Sequence, residues 1–185
     1  DYTVFDKFML PQYASWYLNF AKNQMVIVYT DKSKLADQAA TTAWQELLLN
    51  PDVKFGRTNA DKDPAGYRAL MVWQLAEKYY QLPGLYDQLN QKCTAATVFN
   101  SASDLIKALN EGKIDYAFEY LSVAQQNGLK YITLPPQIDL SATEYADFYS
   151  QAKVMSAGKE QVAVPIVNSL TIPVTATNSA AIDFI

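Results

Sequence analysis

The run MVIVYT, Met25 to Thr30, decides the fold class. It is apolar at odd and even positions alike and rich in β-branched side chains, so both of its faces need burial. That is the pattern of a central strand covered by helices on either side, as in the parallel sheets of α/β proteins. Working outward, Asp31 and Ser33 offer caps to a helix expected to begin near Leu35. Trp44, Leu47, Leu48 and Leu49 give that helix an apolar face, and Asn50 and Pro51 stop it. VKFGR (53–57) reads as a strand, TNADKD (58–63) as a polar loop, and PAGYRALMVWQLAEKYYQL (64–82) as a long amphipathic helix closed near Pro83 and Gly84.

Strand and helix patterns go on alternating. TVFN (97–100) predicts a brief strand, SASDLIKALNEG (101–112) a helix between a serine cap and Gly112, and IDYAFEY (114–120) a strand. SVAQQNG (122–128) follows as a helical turn, LKYITLP (129–135) as a strand and PPQIDL (135–140) as a loop. YADFYSQAKVMSA (145–157) leans to strand in its second half. The tail predicts a strand with Pro165 at its edge, a second strand at LTIPV (170–174) and a first helical turn. Ahead of the deciding run, DYTVF (1–5) predicts a strand and residues 6–23 a helix interrupted near Pro11. The whole is α/β, with a mostly parallel mixed sheet flanked by helices.

Composition narrows the function. The 185 residues carry a net charge of −4 with the basic residues scattered, so no stripe could track a phosphate backbone and nucleic acid is not an expected partner. No segment has the roughly 18 to 20 uninterrupted apolar residues of a membrane span, and no signal peptide stands at the start of the numbering. Cys93 is the only cysteine and reads as a small buried hydrophobe. There is no histidine, which removes the usual general base and the commonest transition-metal ligand. An enzyme is not expected, since no activated nucleophile accompanies the carboxylates described next.

Two places carry candidate chemistry. In DPAGYR (63–68), Asp63 occupies an N-cap position, Pro64 the first helical position, and Gly66 removes a Cβ where something must approach the backbone. Capping alone accounts for Asp63 and Pro64. The N–H groups of Ala65, Gly66 and Tyr67 at the positive end of the helix would also suit an anion. In DYAFEY (115–120), Glu119 lies near the carboxyl end of a buried strand, where open α/β sheets bind ligands. A carboxylate there is costly unless it is paired or coordinating, and Arg57 or Arg68 could pair with it. Asp115 reads as a carboxylate at the start of the strand. Carboxylates beside an anion site are contradictory unless the anion has a high-valent metal centre that accepts carboxylate oxygens, or unless one carboxylate is protonated.

MVIVYTDKS, PDVKFGR, DPAGYRALMVWQLAEKYY, EGKIDYAFEYLSVAQQNGLKYITLP and PIVNSLTIP, in that order, resemble the tungstate/molybdate-binding proteins of ABC importers. The resemblance runs over nearly all of the chain. It implies a periplasmic-binding-protein-like architecture in which two α/β lobes close on the oxyanion. It also implies a six-coordinate metal, four oxygens coming from the anion and two from carboxylates that fall on Asp63 and Glu119. The ligand would be tungstate or molybdate, with no further cofactor. The partner would be a membrane permease, the location extracytoplasmic, and occupancy would be signalled by lobe closure. The sequence departs from the family pattern at Ala65 (there Cys), Leu121 (basic), Asn127 (His) and Asn168 (Tyr). By the same resemblance the chain is a fragment. Residues 1–29 would be a first-lobe remnant (strand, helix, crossing strand), 30–164 the second lobe, and 165–185 the return crossing strands. Exposed first-lobe strands would permit a homodimer. Two other readings remain open at this point: a receptor of the same fold for sulfate or phosphate, and the effector-binding domain of a transcription regulator.

Overall fold

A strand that is apolar on both faces is stable only between two covered surfaces, and 25–29 finds that position in the computed structural model, which describes every residue except Asp1 and Phe184. The chain divides into two compact units, Asp1–Asn23 with Ile166–Ile185, and Gln24–Pro165.

The smaller unit begins with a helical turn, α1 (Tyr2–Val4), a π-helical stretch (Phe5–Met9) and strand β1 (Leu18–Lys22). The strand expected at 1–5 and the helix expected up to residue 23 are thus in the opposite order. The reason is a partner near the other end of the chain: residues 18–22 pair antiparallel with residues 167–170, with a register irregularity between Asn19 and Ala21.

The larger unit holds β2 (Met25–Tyr29), α2 (Trp44–Leu49), β3 (Phe55–Thr58), α3 (Pro64–Tyr79), α4 (Leu85–Lys92), β4 (Val98–Phe99), α5 (Ala102–Asn110) and β5 (Tyr116–Tyr120). It continues with α6 (Leu121–Gln126), β6 (Lys130–Thr133), α7 (Ala146–Tyr149), β7 (Lys153–Ser156) and β8 (Lys159–Val162). The chain then returns to the smaller unit with β9 (Val167–Leu170) and α8 (Ala180–Asp183), and β9 pairs with β1, Leu18 opposite Leu170. The second strand of the tail therefore lies a few residues earlier than LTIPV.

The five-stranded sheet of the larger unit has the order β4-β3-β5-β2-β6. β3 is parallel to β4 and to β5, while β2 runs antiparallel to both of its neighbours. The deciding run is therefore as buried as its sequence demands but is the reversed strand of a mixed sheet, and burial on both faces does not reveal direction. It also lies in the larger unit. On one face of β5, Phe118 meets Trp44, Trp73 and Phe55 at edge-on ring separations of 5.9, 5.5 and 6.3 Å. On the other, Ala117 packs with Val26, Val28, Leu105, Leu109 and Ala124. Truncating a ring such as Phe118 in a core of this kind costs about 3–5 kcal/mol.

Two further differences have local causes. The helix expected from Leu35 is split into a 3-10 turn (Ala36–Gln38) and α2, because Ala43 takes a non-helical ψ of 127° just before Trp44, while Leu35 (φ 58°) is left-handed. Helix α4 has no counterpart among the expected elements. Its signal is small: Gly84 in a left-handed cap (φ 85°), then Leu85 and Leu89 buried one turn apart.

Candidate functional site

Asp63 caps α3 as its position predicts: its Oδ1 accepts the N–H of Ala65 at 2.9 Å and its backbone carbonyl accepts the N–H of Gly66 at 3.0 Å. The donors of Ala65 and Gly66 are thus engaged by Asp63 itself, and Tyr67 lies in the same first turn. Gly66 is required for a different reason from ligand access. A Cβ there would stand 2.4 Å from the carbonyl oxygen of Thr58, so the missing side chain lets the start of α3 press against the end of β3.

The loop joining these two elements is tied at several points. Asn59 donates its N–H to Phe99 O at 2.7 Å and accepts the N–H groups of Lys62 and Asp63 at 3.1 and 3.0 Å. From the β7–β8 hairpin, Ser156 Oγ donates to Ala60 O at 2.7 Å and the N–H of Ala157 donates to Asp61 Oδ1 at 2.7 Å. Asp63 therefore projects from a braced loop and a fixed helix end.

Glu119 lies at the far end of β5, opposite Val26, with 1% of its surface exposed. Its Oε1 accepts the N–H of Tyr120 at 2.8 Å, while Oε2 is buried without a hydrogen-bond partner. Burial raises the Glu119 carboxyl to about 7; the Tyr120 N–H opposes that rise, and the charge of Asp63 adds to it. The two carboxylates singled out in the sequence are therefore close enough to feel each other. Each has one oxygen held by a main-chain N–H. On Glu119 the other oxygen is left for something else.

Among the described residues, the contacts of the two arginines that the sequence offered to Glu119 lie with other groups. Arg57 donates through Nη1 to Thr58 O at 2.9 Å and lies 5.9 Å from the Trp73 ring. Arg68, itself buried, lies 5.7 and 5.6 Å from the rings of Tyr67 and Tyr120 and donates through Nη1 to the Tyr120 hydroxyl. The role of Tyr120 was not legible in the sequence, where it is one of 13 tyrosines. Asp115 does behave as a carboxylate at the start of the strand, accepting the N–H groups of Lys34 and Lys54 at 3.0 and 2.8 Å. Two surface hollows of about 620 and 640 Å³ lie elsewhere, the first around Arg57, Asn59 and Cys93, the second around Ile106 and Val123.

The sheet and its order of elements match a known group. The family described as bacterial extracellular solute-binding protein matches residues 4–185. The chain belongs to that family. Among its members, an uncharacterized solute-binding protein of Petrotoga mobilis is 46% identical over 192 residues, covering all of this chain and 60% of that protein. The molybdate/tungstate-binding protein WtpA of Pyrococcus abyssi is 36% identical over 210 residues, covering all of this chain and 61% of that protein. This solute-binding chain therefore spans about three fifths of the curated relatives it matches. Among solved structures, a periplasmic molybdate-binding protein of Azotobacter vinelandii is similar, with a TM-score of 0.52 at 18% identity, covering 95% of this chain and 60% of that one. The architecture is thus periplasmic-binding-protein-like. No helix among the described residues is long and apolar enough to cross a membrane.

Proposed function

We propose that this chain contributes the carboxylate wall of a tungstate- or molybdate-capturing cleft in the substrate-binding component of an ABC importer. The observation that carries the reading is the unpartnered, buried Oε2 of Glu119 beside the Asp63 cap. A buried carboxylate oxygen with no donor is expensive. A hard, high-valent metal centre approaching the pair would take one oxygen from each residue as extra ligands. The relatives that carry the molybdate/tungstate-binding name support the choice of anion. Sulfate and phosphate have centres that take no further oxygen, so toward them the ionised pair would only be repulsive.

In this reading Asp63 and Glu119 are direct ligands, and the first turn of α3, at Ala65, Gly66 and Tyr67, faces the anion oxygens with the positive end of the helix. The protein works outside the cytoplasm, hands its anion to a membrane permease and catalyses nothing. Residues 1–29 and 165–185 belong, in this reading, to the first lobe and the strands that cross to it. Leu18 and Phe20, both exposed on β1, make self-association through that segment part of the proposal, to be read by sedimentation.

Titration calorimetry with tungstate, molybdate and sulfate tests the function. Tungstate and molybdate should bind and sulfate should not, and Asp63→Ala should weaken tungstate by at least about 100-fold, more than the loss typical of residues that only orient a ligand. Unchanged affinity in Asp63→Ala, or sulfate binding as tightly as tungstate, would overturn the assignment.

A further inference from the structure

Glu119 can serve as a ligand only if its carboxylate is held with Oε1 on the Tyr120 N–H and Oε2 kept clear of every donor of the fold, and nothing on its own side chain enforces that. The geometry points to Arg68 and Tyr120 as positioning residues that fix Glu119 for the anion, an inference that rests on the capture function proposed above. Successive residues on a strand point to opposite faces, so the Tyr120 ring lies on the face of β5 away from Glu119, toward α3. There the buried Arg68, one turn into α3, lies beside the ring and donates to its hydroxyl. The ring of Tyr67 lies beside the same guanidinium, so the cation has aromatic neighbours on two residues.

The clamp thus links the two halves of the site. Arg68 belongs to the helix that Asp63 caps, and Tyr120 supplies the N–H that grips Glu119. Fixing the Tyr120 side chain fixes the peptide between 119 and 120, and with it the direction of Oε2 relative to Asp63. Groups that only orient a metal ligand commonly change metal affinity by about 10–100-fold when removed.

The test is a double-mutant cycle of Arg68→Met and Tyr120→Phe, read by tungstate calorimetry, with Asp63→Ala as a control and thermal melting without ligand for each protein. Tyr120→Phe removes only an oxygen and keeps the ring, so it guards against a misfolded Arg68→Met. The inference predicts about 10-fold weaker tungstate binding in Tyr120→Phe and about 10–100-fold in Arg68→Met. It predicts that the double variant is no worse than Arg68→Met alone, because both changes break one clamp. A Tyr120→Phe affinity within about twofold of the unsubstituted protein, or fully additive losses, would overturn it. A role in stability alone would lower the melting temperature and leave the affinity of the folded protein unchanged. If the unsubstituted protein itself binds neither tungstate nor molybdate, the capture function falls and this inference with it. If it binds and Asp63→Ala abolishes binding while the clamp variants do not, only the inference falls.

Discussion

Strand β5 has a buried carboxylate at each end, and the two are handled in opposite ways. Asp115, just before the strand, has both oxygens satisfied, by the N–H groups of Lys34 and Lys54, and its carbonyl accepts the hydroxyl of Ser33 at 2.6 Å. It staples the loops after β2 and before β3 to the sheet. Glu119, four residues later, has one oxygen on the neighbouring N–H and the other on nothing. Burial is the same kind of fact at both ends. What separates a structural carboxylate from a ligand is the count of donors that the fold itself supplies.

The largest effect expected from breaking this contrast is at Asp115. Asp115→Ala leaves two main-chain donors without partners at about 1–3 kcal/mol each, so denaturant unfolding should show a loss of roughly 2–6 kcal/mol. Tungstate affinity of the folded variant should be unchanged.

Glu119 should show the reverse. Its folded value of about 7 lies above the ordinary 4.5, so the protonated form is favoured by folding. The stability it contributes is present below pH 4.5, is lost as pH rises toward 7 and stays lost above. The full loss is at most about 3.5 kcal/mol, since each pH unit between the two values is worth about 1.4 kcal/mol. Unfolding measured from pH 4 to 8 should show this decline in the free protein, and Glu119→Gln should remove most of it. That variant should gain up to about 2 kcal/mol at pH 8, since an amide carries no charge to desolvate. Better stability without ligand would then come with a large loss of affinity, whereas a Glu119→Gln variant less stable at pH 8 would make Glu119 a structural residue like Asp115.

The smallest effect sharpens the other side. Ser33→Ala removes one hydrogen bond to the Asp115 carbonyl and another from the Thr30 N–H at 2.9 Å, and should cost about 1 kcal/mol in thermal unfolding with no change in anion binding.

Much of this arrangement could be read from the residues. Apart from α4, the succession from β3 to β6 follows from period and caps: Ser101 caps α5 through the N–H of Asp104, and Asp63 caps α3. A helix start and a strand end singled out Asp63 and Glu119 separately, while their pairing as ligands is what the family resemblance implied; in the structure the charge of Asp63 acts on Glu119. What escaped the sequence depends on partners far along the chain. The direction of β2 is set by β5 and β6, about 90 and 105 residues later, and no periodicity encodes it. β1 exists because β9 offers it an edge. The need for Gly66 was legible, but the group it admits is the chain's own Thr58 carbonyl. The contact of Arg68 with Tyr120 depends on which face of a strand a helix covers, and that is decided only when the layers pack.

Whether two side-chain carboxylates complete the coordination of a metal oxyanion can be read at the metal itself, by X-ray absorption at the tungsten edge of the tungstate-loaded protein. Coordination by Asp63 and Glu119 predicts a six-oxygen shell, four short contacts and two longer ones, that reverts toward four when Glu119→Gln and Asp63→Ala are combined. A purely tetrahedral four-oxygen shell in the unsubstituted protein would contradict it.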